Sequence, residues 1–195
     1  MQFPLTLTFK FWSMASQIRV TDPTGQLVCQ VKQRAFRLKE DVTIFEDEQQ
    51  TRPRYRIRAD RVLDIAPQYT ISDPSGSVLG AVKREGMKSF WRARYRLLNP
   101  QGNDVGLIRE ENPWIKVADS LLSLIPLVEL LTGYFLNPAY LVEIPAGRTA
   151  LYVRKNPSFL EKRFVLEERR PLPSEQQDLT LAGVMMMVIL ERHRG

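Results

Sequence analysis

The sequence predicts a mainly β protein in which an antiparallel barrel or sandwich surrounds one hydrophobic helix. Three observations lead to this prediction: a turn motif that recurs between alternating segments, a high density of such segments, and a short apolar run near the C-terminus. The chain has 195 residues, which is enough for one large domain. We interpret residues 1–195 as a single domain.

A Pro-x-Gly motif occurs four times between segments in which apolar and polar residues alternate. Proline restricts φ for a turn, an Asp or Asn before it can hydrogen-bond nearby backbone, and glycine adopts the positive φ that a turn requires. Turns of this kind between alternating segments predict β-hairpins. The four copies are IRVTDPTGQLV (18–28), YTISDPSGSVL (69–79), YRLLNPQGNDV (95–105) and YLVEIPAGRTA (140–150).

The rest of the chain supplies further strands. It opens with an alternating segment in which Leu5, Leu7, Phe9 and Phe11 are apolar. Roughly twelve strands with short connections result, a density typical of a barrel or a sandwich. The unequal spacing of the four turns argues against a propeller or a solenoid. The further alternating segments lie at residues 34–46, 54–59, 88–98, 104–110 and 159–168.

The chain ends with a predicted helix at residues 174–192. Ser174 and Gln177 form the S-x-x-Q pattern of a capping box. In the twelve residues 179–190 all but one are apolar, and Gly183 would let a neighbouring element approach closely. Such a helix is buried on all sides, because a membrane span needs about 20 apolar residues. Its three methionines are interpreted as core residues: Met185, Met186 and Met187.

Residue content limits the classes of function. The single cysteine, Cys29, excludes an internal disulfide and a cysteine-built metal site, and it favours a cytoplasmic location. The N-terminal MQFPLTLTFKFWSM alternates and does not resemble a signal peptide. The only histidine, His193, excludes histidine-based triads and multi-histidine metal sites. No glycine-rich phosphate loop occurs. We therefore expect no enzyme, no cofactor and no metal.

Positive charge is concentrated in one part of the chain. The formal net charge is +6, whereas the window from Arg52 to Arg96 contains eleven basic and four acidic residues. The preceding segment EDVTIFEDE (40–48) is acidic. A local positive field favours anionic partners such as phospholipid headgroups, nucleic acid or an acidic protein.

Two arginine-rich segments account for most of this charge. In TRPRYRIRADR (51–61) and SFWRARYRL (89–97) basic residues alternate with apolar ones, so a barrel wall would carry the arginines outside. If the two strands are near neighbours, the outer surface has a continuous cationic stripe. Arginine suits phosphate because of its rigid fork of donors. The predicted headgroup contacts are Arg52, Arg54, Arg56, Arg58, Lys88, Arg92, Arg94 and Arg96.

A plainer interpretation of these arginines stays open. They would be solvated surface residues paired with carboxylates of adjoining strands, for which Asp60, Asp64 and the acidic run 40–48 are available. Charged residues on strands also discourage aggregation of sheets. Nucleic acid is not favoured as a partner, because no aromatic residue faces outward between the arginines to stack on bases.

Residues 113–138 (PWIKVADSLLSLIPLVELLTGYFLNP) are the second unusual segment. They are strongly apolar but contain Lys116, Asp119 and Glu129 and are interrupted by Pro126, so a membrane span is not expected. Two short helices are predicted. They would either cap an open end of the barrel or form an interfacial hairpin that inserts into a bilayer or binds a partner subunit.

The sequence resembles the tubby C-terminal-like superfamily, and most closely its LURP-one-related and phospholipid-scramblase branch. The resemblance rests on the D-P-x-G hairpins at Asp22–Gly25 and Asp73–Gly76, the strand KSFWRARY at 88–95 and the closing helix at 179–190. It implies a closed antiparallel barrel of about twelve strands with the C-terminal helix through its centre. Tubby-like members bind phosphoinositides through a basic surface, and scramblases are associated with calcium-dependent lipid movement. The chain differs from scramblases because it has neither a cysteine cluster nor a D-x-D-rich calcium loop.

These observations together predict a non-catalytic binding module that docks on anionic phospholipid or phosphoinositide membranes through an arginine-rich outer face. Its location would be cytoplasmic and peripheral at the inner membrane face. The alternative is a soluble protein-interaction scaffold that uses residues 113–138. The third interpretation is scramblase-like lipid transport.

Overall fold

The computed structural model describes residues 2–10, 15–34, 41–60, 67–85, 93–111, 139–145, 147–156 and 162–192. These residues form twelve strands and one helix. The elements are β1 (Leu5–Lys10), β2 (Ala15–Thr21), β3 (Leu27–Arg34), β4 (Asp41–Phe45), β5 (Pro53–Ala59), β6 (Gln68–Ser72), β7 (Val78–Arg84), β8 (Arg94–Leu98), β9 (Asp104–Glu110), β10 (Ala139–Ile144), β11 (Arg148–Asn156), β12 (Lys162–Glu168) and α1 (Ser174–Arg192).

The strands form a closed barrel in which every strand is antiparallel to its two neighbours. Each strand pairs with the strands before and after it in the sequence, and β1 pairs with β12 to close the barrel. This up-and-down order gives the barrel two distinct ends. At the near end the chain passes from each even-numbered strand to the next odd-numbered strand, and from β12 to α1. The opposite end is the far end, and α1 runs toward it.

Alternation along the strands fills the barrel from the inside. Inward residues such as Leu7, Ile57 and Tyr95 are at most 2% exposed. The segment 179–190 of α1 is buried on every side, including all three methionines. Contacts with several strands place α1 inside the barrel: Sγ of Cys29 on β3 lies 3.7 Å from Sδ of Met185. The predicted fold class, a β barrel around a hydrophobic C-terminal helix, is confirmed.

The predicted turns join strands at the near end. In the first, the Asp22 carboxylate accepts hydrogen bonds from the backbone N–H of Thr24 and of Gln26, each at 2.9 Å. Gly25 follows with φ of 84°, a value that glycine adopts without steric cost. Asp73 accepts in the same way from the N–H of Ser77, at 2.9 Å. The local polar residues therefore satisfy the turn backbone and set the register of each hairpin.

Two sequence-based details are wrong. The segment predicted at 34–46 is not one strand, since its described ends, Arg34 and residues 41–45, belong to the antiparallel neighbours β3 and β4. The capping box at Ser174 does not form with Gln177, whose side-chain amide instead donates to the carbonyl of Leu172 at 3.3 Å. That bond satisfies a carbonyl of the chain that enters the helix. The predicted helical insertion at 113–138 lies outside the described residues.

Among the described residues, no helix is both long enough and apolar enough to cross a membrane.

Candidate functional site

Strand β5 carries the first group of predicted arginines on the outer wall. Tyr55 and Ile57 point inward and are 2% and 1% exposed, whereas Arg56 and Arg58 are exposed. The pleat of the strand makes this alternation necessary, because successive side chains lie on opposite faces of a sheet. The prediction that these arginines face outward is confirmed.

Strand β8 carries the second group, and it is not adjacent to β5. Strands β6 and β7 lie between them, so the arginines of β5 and β8 form two separate groups rather than one uninterrupted stripe. On β8, Tyr95 and Leu97 are buried inside, and Arg94 and Arg96 face outward. Lys88 and Arg92 lie outside the described residues.

Arg54 connects the barrel wall to the helix. Its Nε donates to the Tyr55 hydroxyl at 2.6 Å, Nη1 donates to the Val28 carbonyl at 3.4 Å, and Nη2 lies 3.3 Å from Oδ1 of Asp178 on α1. The Tyr55 hydroxyl also donates a short hydrogen bond to Asp178. Burial, followed by the hydrogen bond to Asp178, raises the pKa of Tyr55, which therefore stays a donor. These contacts assign Arg54 a structural role.

A second tyrosine–carboxylate pair holds the other end of the helix. The hydroxyl of Tyr95 on β8 donates to Oε1 of Glu191 at 2.6 Å. Because Asp178 lies toward the near end and Glu191 toward the far end, α1 is attached to the wall at both ends by hydrogen bonds to carboxylates, which are stronger than those between neutral groups.

Removing the near-end attachment is expected to destabilise the protein. Asp178→Ala leaves the partly buried Arg54 guanidinium and the Tyr55 hydroxyl without their acceptor, at a cost of about 1.5 kcal/mol in the free energy of unfolding. The control Asp104→Ala removes a carboxylate from an exposed pair and should change it by less than about 0.5 kcal/mol. Urea denaturation measures both variants, and equal effects would contradict the structural role of Arg54.

Arg56 and Arg58 share one carboxylate. The Arg56 guanidinium donates to both oxygens of Asp41, through Nε at 3.1 Å and Nη2 at 2.7 Å, and Nε of Arg58 lies 3.5 Å from Oδ2. The hydrogen bonds from Arg56 hold the pKa of Asp41 below its usual value, so this carboxyl is ionised at neutral pH. Two positive charges and one negative charge leave this cluster with a surplus of one positive charge.

The arginines of β8 are paired one to one. Nε of Arg94 lies 3.1 Å from Oε2 of Glu85, and Arg96 forms a bidentate pair with Asp104. The two pairs together are neutral. Arg52 is exposed and forms no ion pair with any residue that the structure describes. Of the predicted contacts, Arg52 and the cluster of Arg56 and Arg58 therefore keep positive charge for an external anion.

The carboxylate partners were only partly predictable. The acidic run 40–48 supplies Asp41, as the sequence suggested, whereas Asp60 accepts hydrogen bonds from Gln68 and Thr70 instead. Asp104 could have been found, because the turn at 99–102 brings its strand beside Arg96. No local sequence pattern identifies Asp178 as the partner of Arg54.

The far end brings several strand ends together. The N–H of Glu110 on β9 donates to the Ala93 carbonyl at 3.1 Å, and the N–H of Glu111 donates to the carbonyl of Ala139 on β10 at 2.9 Å. Asp41 and Arg58 form a cross-strand pair toward the same end. The described residues that flank 86–92 and 112–138 therefore lie at the same end of the barrel as the Arg56–Arg58 cluster.

The described residues include neither a cluster of metal ligands nor a reactive thiol. No group of three or more His, Cys, Asp or Glu side chains there could hold a metal ion. Cys29 is fully buried, and burial raises the pKa of its thiol to about 12, so it stays protonated.

Comparison with known proteins gives a likeness of fold. No protein-family model and no curated protein match the chain. The chain is similar to the X-ray structure of a protein from Arabidopsis thaliana, AT5G01750, with a TM-score of 0.50 and 12% sequence identity. The match covers 98% of this chain and 92% of the Arabidopsis chain. At that identity the likeness establishes a shared barrel architecture.

Proposed function

We propose that this chain is a non-catalytic binding module that docks on anionic phospholipid or phosphoinositide membranes with the far end of its barrel. The observation that carries the proposal is the cluster in which Arg56 and Arg58 share the single carboxylate of Asp41. Its surplus positive charge is exposed, and the Arg58 guanidinium can donate further hydrogen bonds to a phosphate oxygen without breaking its pair with Asp41.

The position of the cluster supports docking through the far end of the barrel rather than through its side wall. The strand ends that flank residues 112–138 lie at the far end, and that segment is the most apolar part of the chain apart from α1. Lys88 and Arg92 belong to the connection 86–92, whose flanking residues lie at the same end. Attraction of basic residues by anionic lipid together with insertion of apolar residues is the usual combination in peripheral membrane binding.

The seven arginines and one lysine predicted as headgroup contacts take different parts in this proposal. Arg56 and Arg58 are the headgroup contacts that the described residues support best. Arg54 is committed to Asp178, and Arg94 and Arg96 are neutralised by their own carboxylates. Arg52 lies at the near end, away from the proposed membrane contact.

Co-sedimentation with vesicles tests the proposal. Arg56→Gln/Arg58→Gln is expected to weaken binding to phosphatidylserine-containing vesicles about tenfold or more, because each basic residue near an anionic surface contributes to attraction. The matched control is Arg148→Gln/Arg170→Gln, which removes two exposed positive charges at the near end and should bind within about twofold of the unaltered chain. Binding should also fall with added salt and be absent with phosphatidylcholine alone.

Equal losses in the two double variants would mean that net charge, not the far end, governs binding. Failure of the unaltered chain to bind any anionic vesicle at physiological salt would overturn membrane docking. The far-UV circular dichroism spectrum of each variant must match that of the unaltered chain, so that a loss of binding is not a loss of folding.

The second candidate function is a soluble protein-interaction scaffold that uses residues 113–138. It is favoured by the pairing of Arg94 with Glu85 and of Arg96 with Asp104, since a solvated surface needs no external anion. Absence of vesicle binding would support it. Scramblase-like lipid transport stands third and would require movement of labelled lipid between the leaflets of vesicles that contain the protein.

Membership in the LURP-one-related and scramblase branch of the tubby-like superfamily is part of the proposal. It is supported by the twelve-stranded barrel, the buried C-terminal helix and the Asp-Pro-x-Gly turns. A cytoplasmic location at the inner membrane face accords with a buried thiol and an outward arginine cluster. Fractionation of cells that express the tagged chain would test the location.

A further inference from the structure

A hollow on the outer wall is lined by basic residues and by no acidic ones, unlike two other depressions formed by the described residues. It has a volume of about 320 Å³ and lies over strands β6, β7 and β8, beside the turn at Asn99 and Pro100. Ala81 lines it on the outer face, and its small side chain leaves room above the sheet. The residues of the described chain that line this hollow include no Asp or Glu.

Two cations lie side by side at this hollow. Lys83 on β7 and Arg96 on β8 both line it and are directly opposite each other in the strand register. Asp104 offsets the charge of Arg96, so the two cations and this carboxylate together carry a surplus of one positive charge. An anionic group that bridges Lys83 and Arg96 would offset that surplus.

Both cations keep donors for such a group. Arg96 uses Nε and Nη2 for Asp104, which leaves further N–H groups of its guanidinium available. Lys83 is exposed and forms no ion pair with the residues that the structure describes. Two other surface depressions contrast with this one, because acidic residues line them: Glu85, Asp104 and Glu143 in one, and Asp22 and Glu46 in the other.

We propose that Lys83 and Arg96 form a binding site for the phosphate group of a phosphomonoester. The dianion would accept hydrogen bonds from the ammonium of one residue and the guanidinium of the other, above the space left by Ala81. This site is separate from the membrane contact proposed above, since β7 is two strands away from β5 and its occupation needs no bilayer. The phosphate could come from a soluble metabolite or from a lipid headgroup such as phosphatidic acid.

Titration of the full chain with inorganic phosphate, followed by amide chemical shifts, tests the site. Saturable shifts are expected at Gly80, Ala81 and Lys83 with phosphate and not with chloride at equal ionic strength. Lys83→Gln should weaken phosphate binding about tenfold, because it removes a charged donor. Arg148→Gln, which removes an exposed cation of β11, should leave it unchanged.

Binding of a soluble phosphomonoester and of a phosphate-bearing lipid are measured separately, which distinguishes the two sources of the phosphate. If Lys83→Gln weakens binding to glycerol 3-phosphate but not to phosphatidic acid vesicles, the ligand is soluble; if it weakens both, a lipid headgroup also occupies the site. Shifts that chloride produces equally, or phosphate shifts that persist in Lys83→Gln, would overturn the proposal. Neither result depends on Arg56 and Arg58, so failure of this site is distinguishable from failure of membrane docking.

Discussion

Replacing Met185, Met186 or Met187 singly by alanine is expected to lower the free energy of unfolding by about 2–4 kcal/mol in each case. All three side chains have no measurable exposure. Consecutive residues of a helix are separated by about 100°, so the three methionines together cover more than half of its circumference. A helix packed on one side of a sheet would present at least one of them to solvent.

Urea denaturation of the three variants measures this effect, with two kinds of control. Glu175→Ala, in the exposed first turn of α1, should change stability by less than about 0.5 kcal/mol. Replacement of each methionine by leucine conserves volume and should cost less than about 1.5 kcal/mol. A near-neutral alanine variant at any of the three positions would contradict a helix that is enclosed on every side.

The parts of the fold that the sequence predicted correctly depend on local patterns. The alternation in 54–59 determines that Tyr55 and Ile57 are buried, because the pleat repeats every two residues whatever the rest of the chain does. The turns with Asp22 and Asp73 were predictable for the same reason, since their hydrogen bonds span only two to four residues. The apolar run of α1 likewise determines its own burial.

The parts that could not be predicted depend on contacts between distant residues. Arg54 and Asp178 are 124 positions apart, and their pairing exists only after the barrel closes and α1 enters it. Nothing in TRPRYRIRADR distinguishes Arg54 from Arg56, although one is held by the helix and the other is exposed beside Asp41. The alternating pattern therefore predicted the side on which each arginine lies but not its partner, and the partner decides which arginine can bind an external anion.

Gly80→Ala is expected to destabilise the protein by about 3 kcal/mol or more. Gly80 has φ of 147°, which side chains of L-residues rarely adopt, and a Cβ there would lie 2.2 Å from the carbonyl oxygen of Leu98 and 2.9 Å from the methyl groups of Leu179. Because the first contact is with the backbone of β8, it cannot be relieved by rotation of a side chain. The added atom would have to displace β8 or α1, and both are part of the closed core.

The matched control is Gly76→Ala, which separates backbone strain from the lack of space. Gly76 also has positive φ, 89°, but no atom lies within 4 Å of a Cβ built there, so its replacement should cost only about 1 kcal/mol. Thermal or urea unfolding of the two variants gives the difference, which measures how closely β7 approaches β8 and α1. Equal losses of unfolding free energy in the two variants would mean that the strands around Gly80 can move to accommodate the added Cβ. If β7 and β8 could move apart in this way, they would not hold Lys83 and Arg96 in the fixed register on which the proposed phosphate site depends.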